Sequence, residues 1–286
     1  MSISQGSKLA LGTAQFGLDY GVTNSEGKVQ VEEVELILEC AKENSINTLD
    51  TAASYGNSEE VLGSIGISDF QIITKTIPLK NGVDEVIKHF KQSLTFLNKS
   101  SVNGLLIHNI NEIEHKNFNT LFKELTELKR QGLVNKIGFS TYTPEQVDFL
   151  LKNFDFDLIQ VPFNIFDNRL IQGGQLQALN NKGVEVHARS VFLQGVLLDF
   201  NNLSNYFSPW KKEFSIYQET VKDNGLSLLE CALNFVLNIR EIDKVLVGVN
   251  SERQLKEIVQ AVKRRSNLSA YPINDINLLN PSLWKI

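Results

Sequence analysis

The sequence of 286 residues lacks the features that mark several protein classes. It has only two cysteines, Cys40 and Cys231, and they do not have the spacing of metal ligands, so we expect buried thiols. The four histidines show no paired ligand spacing either, and we predict no metal site. The GxGxxG fingerprint is absent, which argues against a dehydrogenase with a Rossmann domain.

Long apolar runs and concentrated basic charge are also absent. No stretch approaches 18 uninterrupted apolar residues, and residues 1–12 hold no apolar segment of signal-peptide length. We therefore expect a cytoplasmic protein without a membrane partner. The net charge is −5, and we interpret the basic run at 263–266 as a solvated helix end. Nucleic acid is consequently not an expected partner.

The chain does contain a regular alternation of strand-like and helical segments, with 42% hydrophobic residues, typical of a globular protein. This alternation predicts parallel βαβ units and hence the α/β class. A single (β/α)8 TIM barrel over residues 1–286 is the simplest architecture, although an open doubly wound sheet has the same local pattern. The predicted strands lie near 8–11, 47–51, 71–75, 103–107, 136–140, 158–162, 184–190 and 244–248.

Amphipathic patterns predict the helices between these strands. They lie at 31–44, 83–97, 118–132, 168–182, 213–223, 227–239 and 251–264, and Thr143-Pro144 is expected to start a further one. Because two helical runs fall between the last two strands, one of them is predicted to be an insertion.

Polar side chains stand at or near the ends of six predicted strands. In a (β/α)8 barrel the active-site groups lie at the C-terminal ends of the strands, so six such residues are expected to meet at one mouth. They are Asp50, Lys75, His108, Ser140, Gln160 and Arg189.

Four residues near this mouth form a set that hydride-transfer chemistry needs. Reduction of a carbonyl leaves negative charge on oxygen, which requires a proton donor, and Tyr55 is the candidate. The ammonium of Lys75 would favour the phenolate, Asp50 would keep that lysine charged, and His108 would orient the substrate oxygen. Taken singly, Tyr55 also suits a rim aromatic, Asp50 a helix cap and His108 a satisfied strand-end histidine.

The segments that carry these residues resemble the aldo-keto reductase family, in particular its bacterial branches. LGTAQFG (11–17), LDTAASYGNSEEVLG (49–63) and VLVGVNSERQLKEI (245–258) carry the resemblance. It implies NAD(P)H-dependent reduction of an aldehyde or ketone, with Tyr55, Lys75, Asp50 and His108 as the catalytic residues. It also implies substrate contacts for Phe16, Tyr55 and His108.

The resemblance further implies which residues contact the nucleotide, from the nicotinamide to the adenosine end. They are Gly12, Thr13, Asp50, Ser140, Thr141, Gln160, Arg189, Leu193, Gln194, Gly195, Gly248, Asn250, Ser251, Arg253, Gln254 and Glu257.

Three of these positions depart from the family pattern. Thr141 replaces an asparagine, and Arg189 stands where many members place an aromatic residue against the nicotinamide. Asn250 is neutral where many members have a cation for the 2′-phosphate of NADP. On family grounds NADP(H) is expected, with Arg253 or Lys256 as substitute cation, and NAD(H) is the alternative.

Several alternatives remain at this stage. A non-catalytic, nucleotide-sensing regulatory protein could use the same fold, and an enzyme could work in the oxidative direction. The substrate is expected to be a small-molecule carbonyl, with a preference for a sugar-derived one. The aromatic residues of segments 15–25 and 199–214 either line a sugar-sized pocket or form the insertion's own small core. The tail at 268–286 is expected near the mouth, and no oligomeric state follows from the sequence.

Overall fold

A computed structural model describes residues 8–264 and 269–285 of the chain. Its sheet is a closed barrel in which all eight neighbouring strand pairs are parallel, and the last strand pairs with the first. The single (β/α)8 barrel is therefore confirmed, and the open sheet is excluded. The strands are β1 (Leu9–Gly12), β2 (Thr48–Asp50), β3 (Gln71–Lys75), β4 (Val102–Ile107), β5 (Val134–Ser140), β6 (Leu158–Pro162), β7 (Glu185–Arg189) and β8 (Lys244–Gly248).

The helices surround this barrel and bury their apolar faces against it. In the described ranges they are α1 (Val31–Glu43), α2 (Ser58–Ile65), α3 (Val83–Phe96), α4 (Phe118–Arg130), α5 (Pro144–Asn153), α6 (Arg169–Gln172), α7 (Gln175–Asn181), α8 (Lys211–Asp223), α9 (Leu228–Leu237), α10 (Glu252–Lys263) and α11 (Ile276–Leu279). Two of them, α5 and α9, begin with capping boxes that satisfy their first backbone N–H groups.

Several helical segments differ from the sequence prediction, among them the unpredicted four-residue helix α11. Helix α2 was not predicted, because it is short and follows directly on the loop that carries Tyr55. The run at 168–182 is not one helix but two, α6 and α7. The break falls at Gly173 and Gly174, and Gly174 has a left-handed φ of +79° that a continuing helix does not accommodate.

The barrel interior is narrow and filled by side chains. Ile73, Leu106 and Leu158 form a separate buried cluster inside it. A Cβ at Gly104 would lie 2.8 Å from the side chains of Ile73 and Leu158, so glycine at this position makes room for the cluster. Because the interior is packed, binding sites are confined to the ends of the barrel.

The sequence also gives predictions for the cysteines, the basic run and membrane-spanning segments outside the barrel. Cys40 and Cys231 are free and buried, as expected. Of the basic run at 263–266, Lys263 ends α10 and Arg264 lies 3.3 Å from the Glu230 carboxylate, while residues 265 and 266 lie outside the described ranges. Among the described residues, no helix has the length and hydropathy that crossing a membrane requires.

The aromatic residues of the insertion pack on the C-terminal tail. The Phe207 ring lies edge-on to Trp284, with 5.0 Å between centroids, and Tyr206 packs against Trp210 at 5.8 Å. The Trp210 indole also donates to Asp275, over 3.1 Å. Of the two alternatives left open, the small core holds for these insertion aromatics, whereas Tyr20 of segment 15–25 lines a pocket at the barrel mouth.

Candidate active site

Asp50 and Lys75 form a buried ion pair at the C-terminal ends of β2 and β3. Lys75 Nζ lies 2.5 Å from Asp50 Oδ1 and donates a second hydrogen bond to the Thr51 carbonyl over 2.9 Å. Burial alone favours a neutral lysine, but the Asp50 carboxylate and Tyr55 outweigh it and raise the pKa of Lys75. Lys75 is therefore a fixed ammonium inside the barrel mouth.

Tyr55 stands over this ammonium. Lys75 Nζ lies 4.9 Å from the centre of the Tyr55 ring, which places a fixed positive charge beside that phenol. On the opposite side, Gln160 Nε2 donates to Asp50 Oδ2 over 2.6 Å. Both carboxylate oxygens of Asp50 are thus engaged, and the carboxylate cannot turn away from the lysine.

His108 faces Tyr55 from the end of β4. The two rings meet edge to face with 6.1 Å between their centroids, and His108 Nδ1 lies 3.3 Å from Ser54 Oγ. Burial, followed by the positive charge of Lys75, lowers the pKa of His108 to about 4. The imidazole is therefore neutral above pH 5 and retains one N–H to donate.

The depressed pKa predicts a pH dependence of stability. Between pH 6.5 and about 4, the unfolded chain protonates His108 while the folded chain does not, so stability is lost as the pH falls through this range. The slope that one such group adds is about 1.4 kcal/mol per pH unit. Urea unfolding of the wild type and of His108→Gln at several pH values checks this. Parallel curves for the two proteins would contradict the assignment.

A groove of about 360 Å³ runs along the strand ends from Tyr55 to α10. Its walls include bare backbone at Gly12, Gly195 and Gly248. A Cβ at Gly195 would lie 1.8 Å from Thr23 Oγ1, so a side chain at this position would collide with the opposite wall. The groove therefore suits a long ligand that contacts backbone closely.

Residues 17–28 form that opposite wall, and we call this segment the β1 strap. Asn24 holds it in shape, since its side-chain oxygen accepts from the backbone N–H of Glu26 and Gly27 over 3.0 and 3.2 Å. The Asn24 oxygen also accepts from Asn250 Nδ2 over 2.8 Å, which joins the strap to the loop after β8. The strap thus crosses the groove at its far end.

The loop after β7 borders the groove with an unusual backbone. Ser190, Leu193 and Gln194 all have positive φ values, of 58°, 48° and 53°, although none is glycine. Each such residue costs on the order of 1–3 kcal/mol and persists only where the surroundings impose it. The strained turns lie at the edge of the groove, where backbone groups meet a ligand.

Most of the residues assigned from the sequence line this groove. The ones that do so are Gly12, Thr13, Asp50, Tyr55, Gln160, Arg189, Gln194, Gly195, Gly248, Asn250, Gln254 and Glu257. Their individual contacts with a nucleotide or substrate remain predictions.

The others lie elsewhere. Phe16 and Leu193 are fully buried in the hydrophobic core and present no surface to a ligand. Ser140 and Thr141 are also buried. The Ser251 side chain caps α10 and accepts from the Gln254 N–H. Arg253 is exposed on α10 and does not line the groove. Lys75 is buried in its ion pair with Asp50, and His108 lines a neighbouring cavity.

Arg189 lies at the junction of the groove and a second cavity. Its guanidinium stacks on the Tyr142 ring at 4.4 Å and donates to the Thr141 carbonyl over 2.9 Å. A planar guanidinium stacks on aromatic faces in this way. Its charge contributes to lowering the pKa of His108, which places it within electrostatic reach of the reacting groups.

The second cavity, of about 460 Å³, opens beside His108. Amides and hydroxyls predominate among the side chains that line it, together with the Glu112 carboxylate and Pro78, although most of the exposed wall surface is apolar. The amides and hydroxyls come from Ser54, Asn109, Asn111, Tyr142, Thr143, Gln146, Asn280 and Ser282. Asn280 and Ser282 of the C-terminal tail therefore line the cavity beside His108.

Sequence reasoning considered segment 15–25 as a pocket wall only through its aromatic residues, and it missed Thr23 and Asn24 of the β1 strap. Both line the groove, yet no strand-end or motif rule identifies them. The available signal was the length of the connection between β1 and α1, together with its turn-forming residues. Loops this long within a compact domain are usually functional.

The profile of the Aldo/keto reductase family matches residues 8–280, and the chain belongs to this family. It is 27% identical to the uncharacterized oxidoreductase YqkF of Bacillus subtilis, over 80% of this chain and 82% of that one. It is 27% identical to L-galactose dehydrogenase of Arabidopsis thaliana, over 78% and 76%. It is 24% identical to L-glyceraldehyde 3-phosphate reductase of Escherichia coli, over 86% and 83%.

Solved structures show the same fold. The holo form of aldo-keto reductase AKR11C1 from Bacillus halodurans superposes with a TM-score of 0.72 at 21% identity, over 92% of this chain and 88% of that one. The glycerol dehydrogenase AKR11B4 from Gluconobacter oxydans gives 0.70 at 21%, over 91% and 88%. The chain is thus an oxidoreductase that acts on carbonyl groups, and its family generally uses NAD(P)H.

Proposed function

We propose that the enzyme reduces the carbonyl of an aldehyde or ketone with NAD(P)H, using Tyr55 as the proton donor. The observation that carries this proposal is the Lys75 ammonium, paired with Asp50 at 2.5 Å and 4.9 Å from the Tyr55 ring centre. A buried cation at that place stabilises the phenolate that proton donation leaves behind. The groove beside Tyr55 is where the nucleotide would lie.

Carbonyl reduction adds a hydride to the carbonyl carbon and a proton to the carbonyl oxygen. When bound, NAD(P)H supplies the hydride that the carbonyl carbon accepts. As this bond forms, the carbonyl π electrons move to oxygen, and the Tyr55 hydroxyl gives its proton to that oxygen. His108, neutral at working pH, orients the oxygen through an N–H hydrogen bond. Asp50 keeps Lys75 in place.

The cavity beside His108 favours a polyhydroxylated carbonyl as the substrate. Amide and hydroxyl groups match the donors and acceptors of a sugar-derived molecule, whereas a simple aldehyde would leave them unmatched. The names of two relatives, L-galactose dehydrogenase and L-glyceraldehyde 3-phosphate reductase, point to the same chemical class.

A substrate panel tests this function. Oxidation of NADH and of NADPH is followed by absorbance with aldoses, ketoses and hydroxyaldehydes on one side and unsubstituted aldehydes of similar length on the other. We expect hydroxylated substrates to give the higher kcat/KM. Asn111→Leu, which removes an exposed amide from the cavity wall, should raise their KM and leave unsubstituted aldehydes unaffected. No turnover with any carbonyl would refute the proposal.

A further inference from the structure

The charges at the adenosine end of the groove determine which nucleotide it accepts. Because hydride transfer needs the nicotinamide beside Tyr55, the adenosine must lie at the opposite end, against Asn250, Gln254 and Glu257. We propose that this end selects NADH over NADPH, contrary to the preference that the family resemblance implies. The inference rests on the nucleotide use proposed above.

The first argument is the charge of the lining residues. Among the described residues that line the groove, three are charged: Asp50, Arg189 and Glu257. The first two lie at the reacting end, so the adenosine end carries a carboxylate and no cation. A 2′-phosphate brings about −1.5 to −2 charges and is repelled by a carboxylate in this position.

The two cations in the first two turns of α10 are held in ion pairs, Arg253 with the groove carboxylate itself and Lys256 with Glu252. Arg253, with a side chain 79% exposed, lies 3.9 Å from the Glu257 carboxylate. Lys256 Nζ lies 2.7 Å from Glu252, and its side chain is 58% exposed. Neither residue lines the groove, and a move toward a phosphate would cost each its present ion pair.

The amino terminus of α10 is not available to a phosphate either. A helix N-terminus ordinarily attracts anions through its free N–H groups. Here the Glu252 N–H donates to the Glu33 carboxylate over 2.6 Å, and the Asn250 N–H donates to Gln254 Oε1 over 2.8 Å. The chain's own Glu33 thus occupies the place of the anion and adds a second negative charge.

Asn250 offers an acceptor instead of a cation. Its Nδ2 donates to Asn24 of the β1 strap, and its Oδ1 is buried without a partner among the described residues. An unpaired buried acceptor is stabilised by a donor. The 2′-hydroxyl of NADH can donate a hydrogen bond, whereas the ionised 2′-phosphate of NADPH cannot.

Fluorescence titration of the full chain with NADH and NADPH, without substrate, tests the proposal. We expect NADH to bind about tenfold or more tightly than NADPH at low ionic strength. Added salt should narrow the gap, because it screens the repulsion from Glu257 and Glu33. Comparable affinities, or tighter NADPH, would overturn the inference alone. No binding of either nucleotide would overturn the proposed function as well.

Two variants test whether the selection between NADH and NADPH arises at the adenosine end of the groove. Asn250→Arg should tighten NADPH binding about tenfold or more and weaken NADH binding, because it adds a cation for the 2′-phosphate and removes the acceptor for the 2′-hydroxyl. Glu33→Gln should tighten NADPH binding selectively, whereas Glu35→Gln on the exposed side of α1, which makes the same change of charge, should not. Thermal melts confirm that each variant is folded. If Glu33→Gln and Glu35→Gln act alike, the selection does not come from this end of the groove.

Discussion

Replacing Tyr55 by phenylalanine is expected to lower kcat for carbonyl reduction by about 10²–10⁴-fold, the usual contribution of a general acid. The change removes only the hydroxyl, and the ring that packs edge to face on His108 remains. Lys75 retains its bonds to Asp50 and Thr51, so the mouth keeps its charge and shape. Nucleotide affinity should therefore stay near the wild-type value, because the lost group acts only in the transition state.

Stopped-flow reduction and nucleotide titration separate these two effects. Tyr206→Phe is the matched control, since it deletes a hydroxyl that donates to the Asn277 carbonyl outside the groove. It should leave both kcat and nucleotide affinity unchanged. Turnover by Tyr55→Phe at more than a tenth of the wild-type rate would remove Tyr55 from the acid role.

The part of this site that the sequence predicts lies on regular elements. Asp50 and Lys75 end strands, and the barrel fixes where strand ends meet, so their approach follows from the fold. His108 obeys the same rule. Tyr55 lies on a loop, five residues after Asp50. Its sequence motif predicts its place in the site, whereas the periodicity of strands and helices does not.

The β1 strap shows where such reasoning stops. Thr23 and Asn24 reach the groove through a loop whose path is set by individual hydrogen bonds to Gly27 and Asn250. No repeat or burial pattern encodes these bonds, since both form on irregular backbone and the second joins residues far apart in the sequence. The sequence predicts that Arg253 lies on α10, but it does not predict that the side chain points away from the groove. That direction depends on how the helix is rotated about its own axis.

The left-handed residues near the groove lie beyond sequence prediction for a different reason. Local preference places Leu193 and Gln194 in ordinary conformations, and only the surrounding packing holds them at positive φ. A sequence rule fails at such positions because the packing of the whole fold overrides the local conformational preference of the residue. Both residues lie in the loop after β7, which borders the groove.

The second large effect is expected on stability, at the Asp50–Lys75 pair. Their side chains are 4% and 1% exposed, so either charge left alone would be an unpaired buried ion. Asp50→Asn leaves the ammonium with neutral acceptors and no counter-charge, and Lys75→Met leaves the carboxylate with the neutral Gln160 amide. Each single change should cost about 3–5 kcal/mol of unfolding free energy and also abolish reduction.

The double variant Asp50→Asn/Lys75→Met distinguishes the effect of the ion pair on stability from its effect on activity. With both charges gone, no buried ion remains, so most of the lost stability should return, whereas activity should not, because the phenolate then has no cation beside it. Urea unfolding together with kcat measures both quantities. Lys129→Met is the control, since it breaks a half-exposed pair with Asp157 that is worth at most about 1 kcal/mol. If the double variant is as unstable as the sum of the single variants, the two charges do not stabilise one another, and Lys75 is not held for catalysis by Asp50.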